Sequence, residues 1–176
     1  AVSQTMINTK QNDVIKKDKY ILTVGSLDPR KNLKNLVEAY NSSDIRNDVK
    51  LYVVGKGSPM FNMKSSHSIL DNALGYVSDE ELVSLYKNAS AFIYLSYYEG
   101  FGIPPLEAMS FGCPVILSDI PVFREIYGES AVFVDPDNVQ EINKTLDLVL
   151  SDNELREKMI QRGYEKVKEY SWDLSA

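Results

Sequence analysis

Hydrophobic residues along this chain fall into short continuous runs that alternate with amphipathic stretches. The runs contain many β-branched and aromatic residues and are bounded by turn-forming residues, which is typical of buried strands. They predict strands at residues 20–25, 49–54, 91–96, 114–118 and 131–134, and a short strand within residues 70–77. Continuously apolar strands indicate a parallel sheet that is covered on both faces.

The amphipathic stretches between these strands predict helices. Three N-cap patterns mark helix starts, namely Ser78 with Glu81 as a capping box, Asn138 with Glu141, and Ser151 with Glu154. The helices are predicted at residues 32–40, 78–86, 104–111, 121–127, 139–150 and 153–170. This alternation predicts an α/β, Rossmann-like fold, in which ligands bind at the carboxyl ends of the strands near the switch in strand order.

The segment of residues 99–107 carries the most specific pattern and reads Glu-Gly-Phe-Gly-Ile-Pro-Pro-Leu-Glu. Gly100 and Gly102 allow backbone conformations closed to other residues and let a ligand approach closely. Pro104 and Pro105 suit the first turn of a helix. A glycine turn that leads into a helix N-terminus forms an anion site, because unpaired amides and the positive end of the helix dipole face the ligand. The segment therefore predicts a phosphate site.

Two carboxylates, Glu99 and Glu107, bracket this turn. Glu99 follows the strand and Glu107 is expected within about the first helical turn, so both should face one mouth and accept hydrogen bonds from sugar hydroxyls. One alternative is that a first-turn glutamate is favourable without a ligand. Another is a hydrolytic pair, although a helix N-terminus favours the charged carboxylate and makes Glu107 a poor proton donor.

Two cations, Arg30 and Lys31, follow the first strand in a turn that Asp28 and Pro29 initiate. The arginine could bind a diphosphate leaving group as a bidentate fork, and the lysine as a point charge. The alternative is a solvated basic turn, since exposed Lys and Arg are common.

The chain also carries a series of motifs in a fixed order. They are residues 24–32 (Val-Gly-Ser-Leu-Asp-Pro-Arg-Lys-Asn), 51–55 (Leu-Tyr-Val-Val-Gly), 75–79 (Gly-Tyr-Val-Ser-Asp), 99–107, 112–119 (Gly-Cys-Pro-Val-Ile-Leu-Ser-Asp) and 131–136 (Ala-Val-Phe-Val-Asp-Pro). Together they resemble the retaining, nucleotide-sugar-dependent glycosyltransferases of the GT-B fold, called glycosyltransferase group 1 or family 4. The resemblance covers about residues 20–172 and corresponds to the carboxyl-terminal half of a typical member.

This resemblance implies roles for individual residues. Glu99 matches the acid that bonds the donor sugar's hydroxyls beside the reacting carbon, and Glu107 matches the acid that bonds the nucleotide ribose. The amides of Phe101 and Gly102 match the loop that holds sugar and phosphate. Lys31 matches a lysine that contacts the diphosphate.

The chain departs from the family pattern at Ser26, where an arginine usually follows the glycine. Arg30 either replaces this charge or points elsewhere. Tyr76 and Val77, together with Gly75, match the loop that lines the base largely through backbone groups.

Gly100 and Leu106 complete the predicted donor-binding residues, while Glu99, Arg30 and Lys31 are the predicted catalytic residues. The resemblance implies one half of a GT-B fold. Residues 1–19 would be a linker or the start of a fragment, and residues 20–176 the nucleotide-sugar-binding domain. The amino-terminal acceptor domain would lie outside this chain.

The implied reaction is transfer of a hexose from a GDP- or UDP-linked sugar to a hydroxyl of a glycan or lipid-linked acceptor, with retention of anomeric configuration. The nucleotide sugar is then a substrate, and neither a metal nor another cofactor is expected. The isolated domain should be inactive or weakly active. A cytoplasmic location is expected, with peripheral attachment at the inner face of the membrane if the acceptor domain provides it. Alternatives are an inactive nucleotide-binding or assembly module of the same fold, and a sugar-nucleotide epimerase or phosphorylase.

Composition narrows the range of partners. The 176 residues have a formal net charge of −6, which argues against a nucleic-acid partner or an anionic membrane surface. A diphosphate ligand is still compatible, because screening over about 8 Å leaves the nearby cations in control. The single Cys113 is expected to be buried rather than catalytic. No apolar run has the roughly 18 residues of a membrane span, and no signal peptide is visible.

Overall fold

A parallel sheet forms the centre of the computed structural model, which describes residues 19–55 and 73–170. Its strands are β1 (Lys19–Val24), β2 (Val49–Val54), β3 (Ala73–Gly75), β4 (Ala91–Tyr94), β5 (Val115–Ser118) and β6 (Val132–Val134). The helices are α1 (Leu33–Asn41), α2 (Asp79–Asn88), α3 (Ile103–Ser110), α4 (Pro121–Tyr127), α5 (Val139–Ser151) and α6 (Asn153–Glu169). Each pair of neighbouring strands is parallel, in the order β3-β2-β1-β4-β5-β6. The predicted Rossmann-like α/β fold is confirmed.

Helices cover both faces of this sheet, as the continuously apolar strands predicted. Successive strand residues point to opposite faces. Ile21 and Ile93 therefore join a core cluster with residues of α1 and α5. Leu22 and Phe92 join the other cluster, with residues of α2, α3 and α4. Because both faces are packed, the carboxyl edge of the sheet is the place left for a ligand.

The strand order changes direction between β1 and β4. From β1 the chain proceeds outward to β2 and β3, whereas from β4 it proceeds the other way to β5 and β6. The connections that leave these two central strands therefore diverge and border a crevice, as in other open α/β sheets. Lys31 lies in the connection after β1, and Glu99 lies in the connection after β4.

Two of the three predicted helix caps are confirmed. Ser78 Oγ accepts a hydrogen bond from the Glu81 amide at 3.2 Å, and the Glu81 carboxylate accepts one from the Ser78 amide at 2.8 Å. Asn138 Oδ1 accepts a hydrogen bond from the Glu141 amide at 3.0 Å. These short-range patterns fixed the starts of α2 and α5.

The predicted cap at Ser151 is wrong. Helix α5 continues through Ser151, whose hydroxyl donates back to the Leu148 carbonyl at 3.3 Å. Asp152 caps α6 instead, because its carboxylate accepts the Leu155 amide at 2.9 Å. Both residue types are good N-caps, so the choice depended on where α5 ended.

Helix α6 packs closely on α3 and reaches the loop of the motif. A Cβ on Gly163 of α6 would lie 3.2 Å from Met109 Cγ, which shows how near the helices approach. At the end of α6, Tyr170 makes an edge-to-face contact with Phe101, with ring centroids 5.5 Å apart. The last helix therefore supports the loop that follows β4.

Several predictions concern residues outside the described ranges. The sequence of residues 55–68 is rich in Gly, Ser, Lys and Met and predicts a loop, in which His67 would be solvated. Apart from Gly55, this loop lies outside the described ranges, as do residues 1–18 of the predicted linker. The short strand predicted within residues 70–77 is confirmed as β3. Among the described helices, none is both long enough and apolar enough to cross a membrane.

Candidate active site

An ion pair joins the connections that follow β1 and β4. Lys31 ends a short 3₁₀ turn, Pro29–Lys31, which Asp28 caps by accepting the Arg30 amide at 2.8 Å. Lys31 Nζ donates to Glu99 Oε1 across the switch point. The two side chains are only 13% and 12% exposed. The structure thus brings together two of the three predicted catalytic residues.

Tyr94, the last residue of β4, completes this cluster and was not predicted as a site residue. Its hydroxyl lies 2.6 Å from Lys31 Nζ and 3.0 Å from Glu99 Oε1. Lys31 donates to the hydroxyl, and the hydroxyl donates to the carboxylate. The sequence placed Tyr94 in an apolar strand, but its position at the carboxyl end of that strand was the signal that it could reach a ligand.

The surroundings keep Glu99 and Lys31 charged. Burial by itself would raise the pKa of the Glu99 carboxyl, but hydrogen bonding from Lys31, Ser96 and Tyr94 lowers it overall. Burial would lower the pKa of Lys31, yet its hydrogen bonds to Glu99 and Tyr94 raise it. A carboxyl with a lowered pKa is a poor proton donor, so Glu99 does not suit the part of the acid in a hydrolytic pair.

Ser96 also contributes to the lowered pKa of Glu99. Its hydroxyl is buried and has no hydrogen-bond partner of standard distance and angle in the described part of the chain. It nevertheless lies close enough to the Glu99 carboxylate to lower that pKa.

A second set of hydrogen bonds locks the same two connections together. The Tyr97 amide donates to the Arg30 carbonyl at 3.0 Å. The Tyr97 hydroxyl lies 3.1 Å from Asn32 Oδ1 and 2.8 Å from Asp137 Oδ1. Asn32 has a left-handed backbone, with φ of 53°, and donates through Nδ2 to the Pro136 carbonyl at 2.7 Å. Lys31 is therefore held by neighbours from three connections, after β1, β4 and β6.

The two glycines of the motif have different roles. Gly102 has a φ of +82°, and a Cβ there would lie 2.7 Å from Phe123 Cε1, so only glycine fits. Gly100 does not have a positive φ, and a Cβ there would meet nothing within 4 Å. The prediction that both glycines adopt conformations closed to other residues is therefore wrong for Gly100. Open space at that position leaves room for a ligand.

The N-terminus of α3 offers fewer donors than an ordinary helix start. Helix α3 begins at Ile103, with Gly102 as the N-cap and both prolines in its first turn, as predicted. Pro104 and Pro105 lack an N–H. The amides of Phe101 and Gly102 donate no hydrogen bond within the described ranges. These two loop amides and the amide of Ile103, the first residue of α3, are therefore donors available to an anion.

Glu107 is the fifth residue of α3 and lies in the second turn. Its predicted position in the first turn is wrong, because the helix begins one residue earlier than expected. The dipole effect falls off beyond the first turn, so it does not explain a glutamate here. The carboxylate is exposed, and its Oε2 accepts a hydrogen bond from the Tyr86 hydroxyl at 3.0 Å. Tyr86 lies on α2, and burial, with the negative charge of Glu107, raises its pKa.

The third predicted catalytic residue, Arg30, and the other predicted donor-binding residues differ in exposure. Ser26 and Arg30 are exposed, and the Arg30 side chain makes no hydrogen bond or ion pair with the described residues. Leu106 and Val77 are half-buried against a core cluster. Tyr76 is 77% exposed. Because the side chains of Leu106 and Val77 pack inward, a ligand role for either would fall mainly to the backbone.

Two features elsewhere do not add chemistry to this site. Cys113 is buried, as expected, and burial raises the pKa of its thiol, which disfavours the reactive thiolate. One surface depression runs along charged residues of α6, and none of the predicted site residues line it.

Comparison with known proteins identifies relatives. The family model described as glycosyl transferases group 1 matches residues 5–166. O-antigen chain mannosyltransferase B of Escherichia coli is 33% identical over 162 residues, which are 88% of this chain and 42% of that protein. O-antigen chain mannosyltransferase RfbU of Salmonella typhimurium is 36% identical over 129 residues, 69% of this chain and 36% of that protein. The chain spans less than half the length of these relatives.

A solved structure has the same fold. The carboxyl-terminal domain of the glycosyl transferase group 1 family protein LpcC from Francisella tularensis superposes with a TM-score of 0.72. The two chains are 27% identical, and the match covers 85% of each.

Proposed function

Because this chain belongs to the group 1 glycosyltransferases, we propose that it is the donor-binding domain of a retaining hexosyltransferase. The donor would be a GDP- or UDP-linked sugar, and the acceptor a hydroxyl of a glycan or glycolipid. The observation that carries the proposal is the Lys31–Glu99 pair, which spans the switch point where sheets of this kind bind ligands. The mannosyltransferase relatives support mannose as the hexose.

Charge development on the leaving group sets the main catalytic task. The nucleoside diphosphate departs as the acceptor hydroxyl attacks the anomeric carbon, so donors placed at the diphosphate lower the barrier. Lys31 and the amides of Phe101 and Gly102 lie in the connections that border the crevice. Arg30 is exposed and unpaired among the described residues, so it can turn toward a diphosphate without breaking an ion pair. It is our candidate for the charge missing at Ser26.

The two acids would bind opposite ends of the donor. Glu99 is charged and borders the crevice, which suits acceptance of hydrogen bonds from sugar hydroxyls. Glu107 is exposed on α3, where its carboxylate would bind the ribose hydroxyls. We propose that the acceptor binds a separate amino-terminal domain. The likeness to a solved carboxyl-terminal domain supports this arrangement.

Calorimetric titration of this chain with GDP and UDP tests the donor site. We expect one of the two to bind, and Glu107→Ala to weaken that binding about tenfold, the size of one lost hydrogen bond to a charged group. Glu157→Ala, an exposed acid on α6, is the matched control and should bind as the unmodified chain does. Absence of binding, or full binding by Glu107→Ala, would contradict the proposal.

A second candidate is an inactive nucleotide-binding or assembly module of the same fold. The observation that favours it is the uncharged Ser26 in place of the usual cation. Glu99→Ala in the full-length protein separates the two functions. A transferase should lose about 100-fold or more in donor turnover, as when a group that stabilises the transition state is removed. An assembly role should survive the substitution.

A further inference from the structure

Each acid of the motif is held through one oxygen by a tyrosine from the core. The Tyr94 hydroxyl donates to Glu99 Oε1, and the Tyr86 hydroxyl donates to Glu107 Oε2, both at 3.0 Å. We propose that Tyr94 and Tyr86 are positioning residues, which turn the second oxygen of each carboxylate toward the donor. This inference rests on the proposed function, because it assumes that Glu99 binds the sugar and Glu107 the ribose.

The ring of Tyr94 is fixed before any ligand arrives. It is 4% exposed and packs against Phe92 and Phe123, each with ring centroids 6.0 Å away. Its hydroxyl contacts Lys31 as well as Glu99, so one rigid group sets the geometry of both ions. Without the hydroxyl, the flexible lysine and glutamate could pair through either carboxylate oxygen.

Tyr86 is held in the same manner from the neighbouring helix. It is 1% exposed, with its ring stacked on Phe111 at 6.0 Å and tilted against Phe92 at 5.6 Å. The side chain of Glu107 is exposed and would otherwise sample several rotamers. The hydrogen bond from a fixed phenol selects among these rotamers.

The remaining oxygens are available to a ligand. Within residues 19–55 and 73–170, neither Oε2 of Glu99 nor Oε1 of Glu107 accepts a hydrogen bond of standard distance and angle, although the Ser96 hydroxyl lies near the Glu99 carboxylate. A charged carboxylate oxygen accepts hydrogen bonds strongly. Each acid therefore keeps one oxygen for the fold and one for the donor. A simpler structural reading is that the acids only satisfy two buried hydroxyls, and the experiment separates the two readings.

The test compares Tyr94→Phe and Tyr86→Phe with a matched control, Tyr40→Phe. Tyr40 is also buried, and its hydroxyl donates to the Val49 carbonyl at 2.8 Å, at the opposite end of the sheet from the site. All three variants keep the ring and lose one hydroxyl. Their urea midpoints establish that each is folded before binding is measured.

Binding of GDP, GDP-mannose, UDP and UDP-glucose to the chain is then measured by calorimetry. Tyr86→Phe should weaken binding of the nucleoside diphosphate and of its sugar about equally, by about tenfold. Tyr94→Phe should raise the ratio of the sugar-nucleotide Kd to the diphosphate Kd, also by about tenfold. Tyr40→Phe should change neither the affinities nor the ratio.

A readout without ligand accompanies these titrations. The carboxyl carbon of Glu99 is followed by NMR as the pH is lowered. Tyr94→Phe should move the pKa of Glu99 upward, because a hydrogen bond to the charged form is lost. Tyr40→Phe should leave that titration unchanged.

The outcomes are distinguishable. If Tyr94→Phe and Tyr86→Phe both bind as Tyr40→Phe does, while Glu99→Gln and Glu107→Gln weaken donor binding, the positioning roles are overturned and the proposed function stands. If the unmodified chain binds none of the four nucleotides, the proposed function falls, and the positioning roles fall with it. A raised Kd ratio in Tyr94→Phe, together with unchanged affinities in Tyr86→Phe, would support the role of Tyr94 and overturn that of Tyr86.

Discussion

The surroundings of Glu99 and of Glu107 differ sharply, although the sequence presents the two acids as a pair. Glu99 is 12% exposed and is bonded to the ammonium of Lys31 and the hydroxyl of Tyr94. Glu107 is exposed, and the one hydrogen-bond partner of its carboxylate among the described residues is the Tyr86 hydroxyl. A carboxylate withdrawn from water needs a counter-ion, whereas an exposed one does not.

This difference separates two kinds of experiment. A change at Glu99 also leaves Lys31 without its partner, so its effect on transfer includes an effect on stability. A change at Glu107 that keeps an acceptor for the Tyr86 hydroxyl, such as Glu107→Gln, leaves the ion pair intact and reports mainly on the ligand. Substitutions on the Glu99 side should therefore be accompanied by a measurement of unfolding.

The largest effect on stability is expected from Lys31→Met, which removes the counter-ion of Glu99. Breaking a buried ion pair costs about 3–5 kcal/mol, and the remaining exposure of Glu99 reduces this to about 2–3 kcal/mol. Urea denaturation at neutral pH measures the free energy of unfolding.

Lys34→Met is the matched control for this substitution. Lys34 is exposed on α1, three residues further along the chain. Its replacement should change the free energy of unfolding by less than about 0.5 kcal/mol. If Lys31→Met and Lys34→Met lose the same free energy of unfolding, the buried ion pair does not stabilise the fold more than an exposed lysine does.

A smaller effect is expected from pH. The pKa of Glu99 is lower in the folded than in the unfolded chain, so its contribution to stability is present above the unfolded pKa and is lost as the pH falls through the folded pKa. The pKa of Lys31 is raised, so its contribution is present at neutral pH and is lost only in strong base. The pair therefore stabilises most around neutrality.

The gap in unfolding free energy between the natural chain and Glu99→Gln measures this dependence. It should be about 1–2 kcal/mol at neutral pH and should shrink as the pH falls below the ordinary carboxyl pKa of about 4.3 and through the lowered pKa of folded Glu99. A gap that stays constant over this range would contradict the assignment of a lowered pKa to Glu99.

The smallest effect is expected from Glu107→Gln. The glutamine oxygen can still accept from Tyr86, and an exposed substitution changes stability by less than about 0.5 kcal/mol. Urea midpoints of this variant and of Glu157→Gln, on the exposed face of α6, should agree. If Glu107→Gln alone clearly lowered the urea midpoint, Glu107 would contribute to stability as Glu99 does, and the difference between the two acids would not hold.

Local patterns predicted the elements well. The capping box of Ser78 and Glu81 depends on residues three apart, and the structure confirms both of its hydrogen bonds. The apolar runs located the strands because burial on both faces leaves little polar sequence within them. The placement of Lys31 and Glu99 at the sheet edge followed from the strands that precede them.

Features that depend on long-range packing could not be read in this way. Tyr94 and Tyr86 lie in apolar stretches, and only the folded arrangement brings their hydroxyls to acids 5 and 21 residues away along the chain. Glu107 lies in the second turn of α3 and not in the first, because α3 begins one residue earlier than the proline pattern suggested. The roles assigned to all of the predicted site residues, in catalysis and in donor binding, stay predictions.

Gly102 and Gly100 would be treated differently by selection. In a library of variants, substitutions at Gly102 would be removed by misfolding, because any Cβ meets the Phe123 ring and the backbone has a positive φ. Variants with a substitution at Gly100 would still fold, so selection would act only on how the substitution affects donor binding. A smaller residue at position 123 would relieve the clash at Gly102 but not its backbone strain. Two glycines two positions apart thus allow selection for the fold and selection for the reaction to be observed independently.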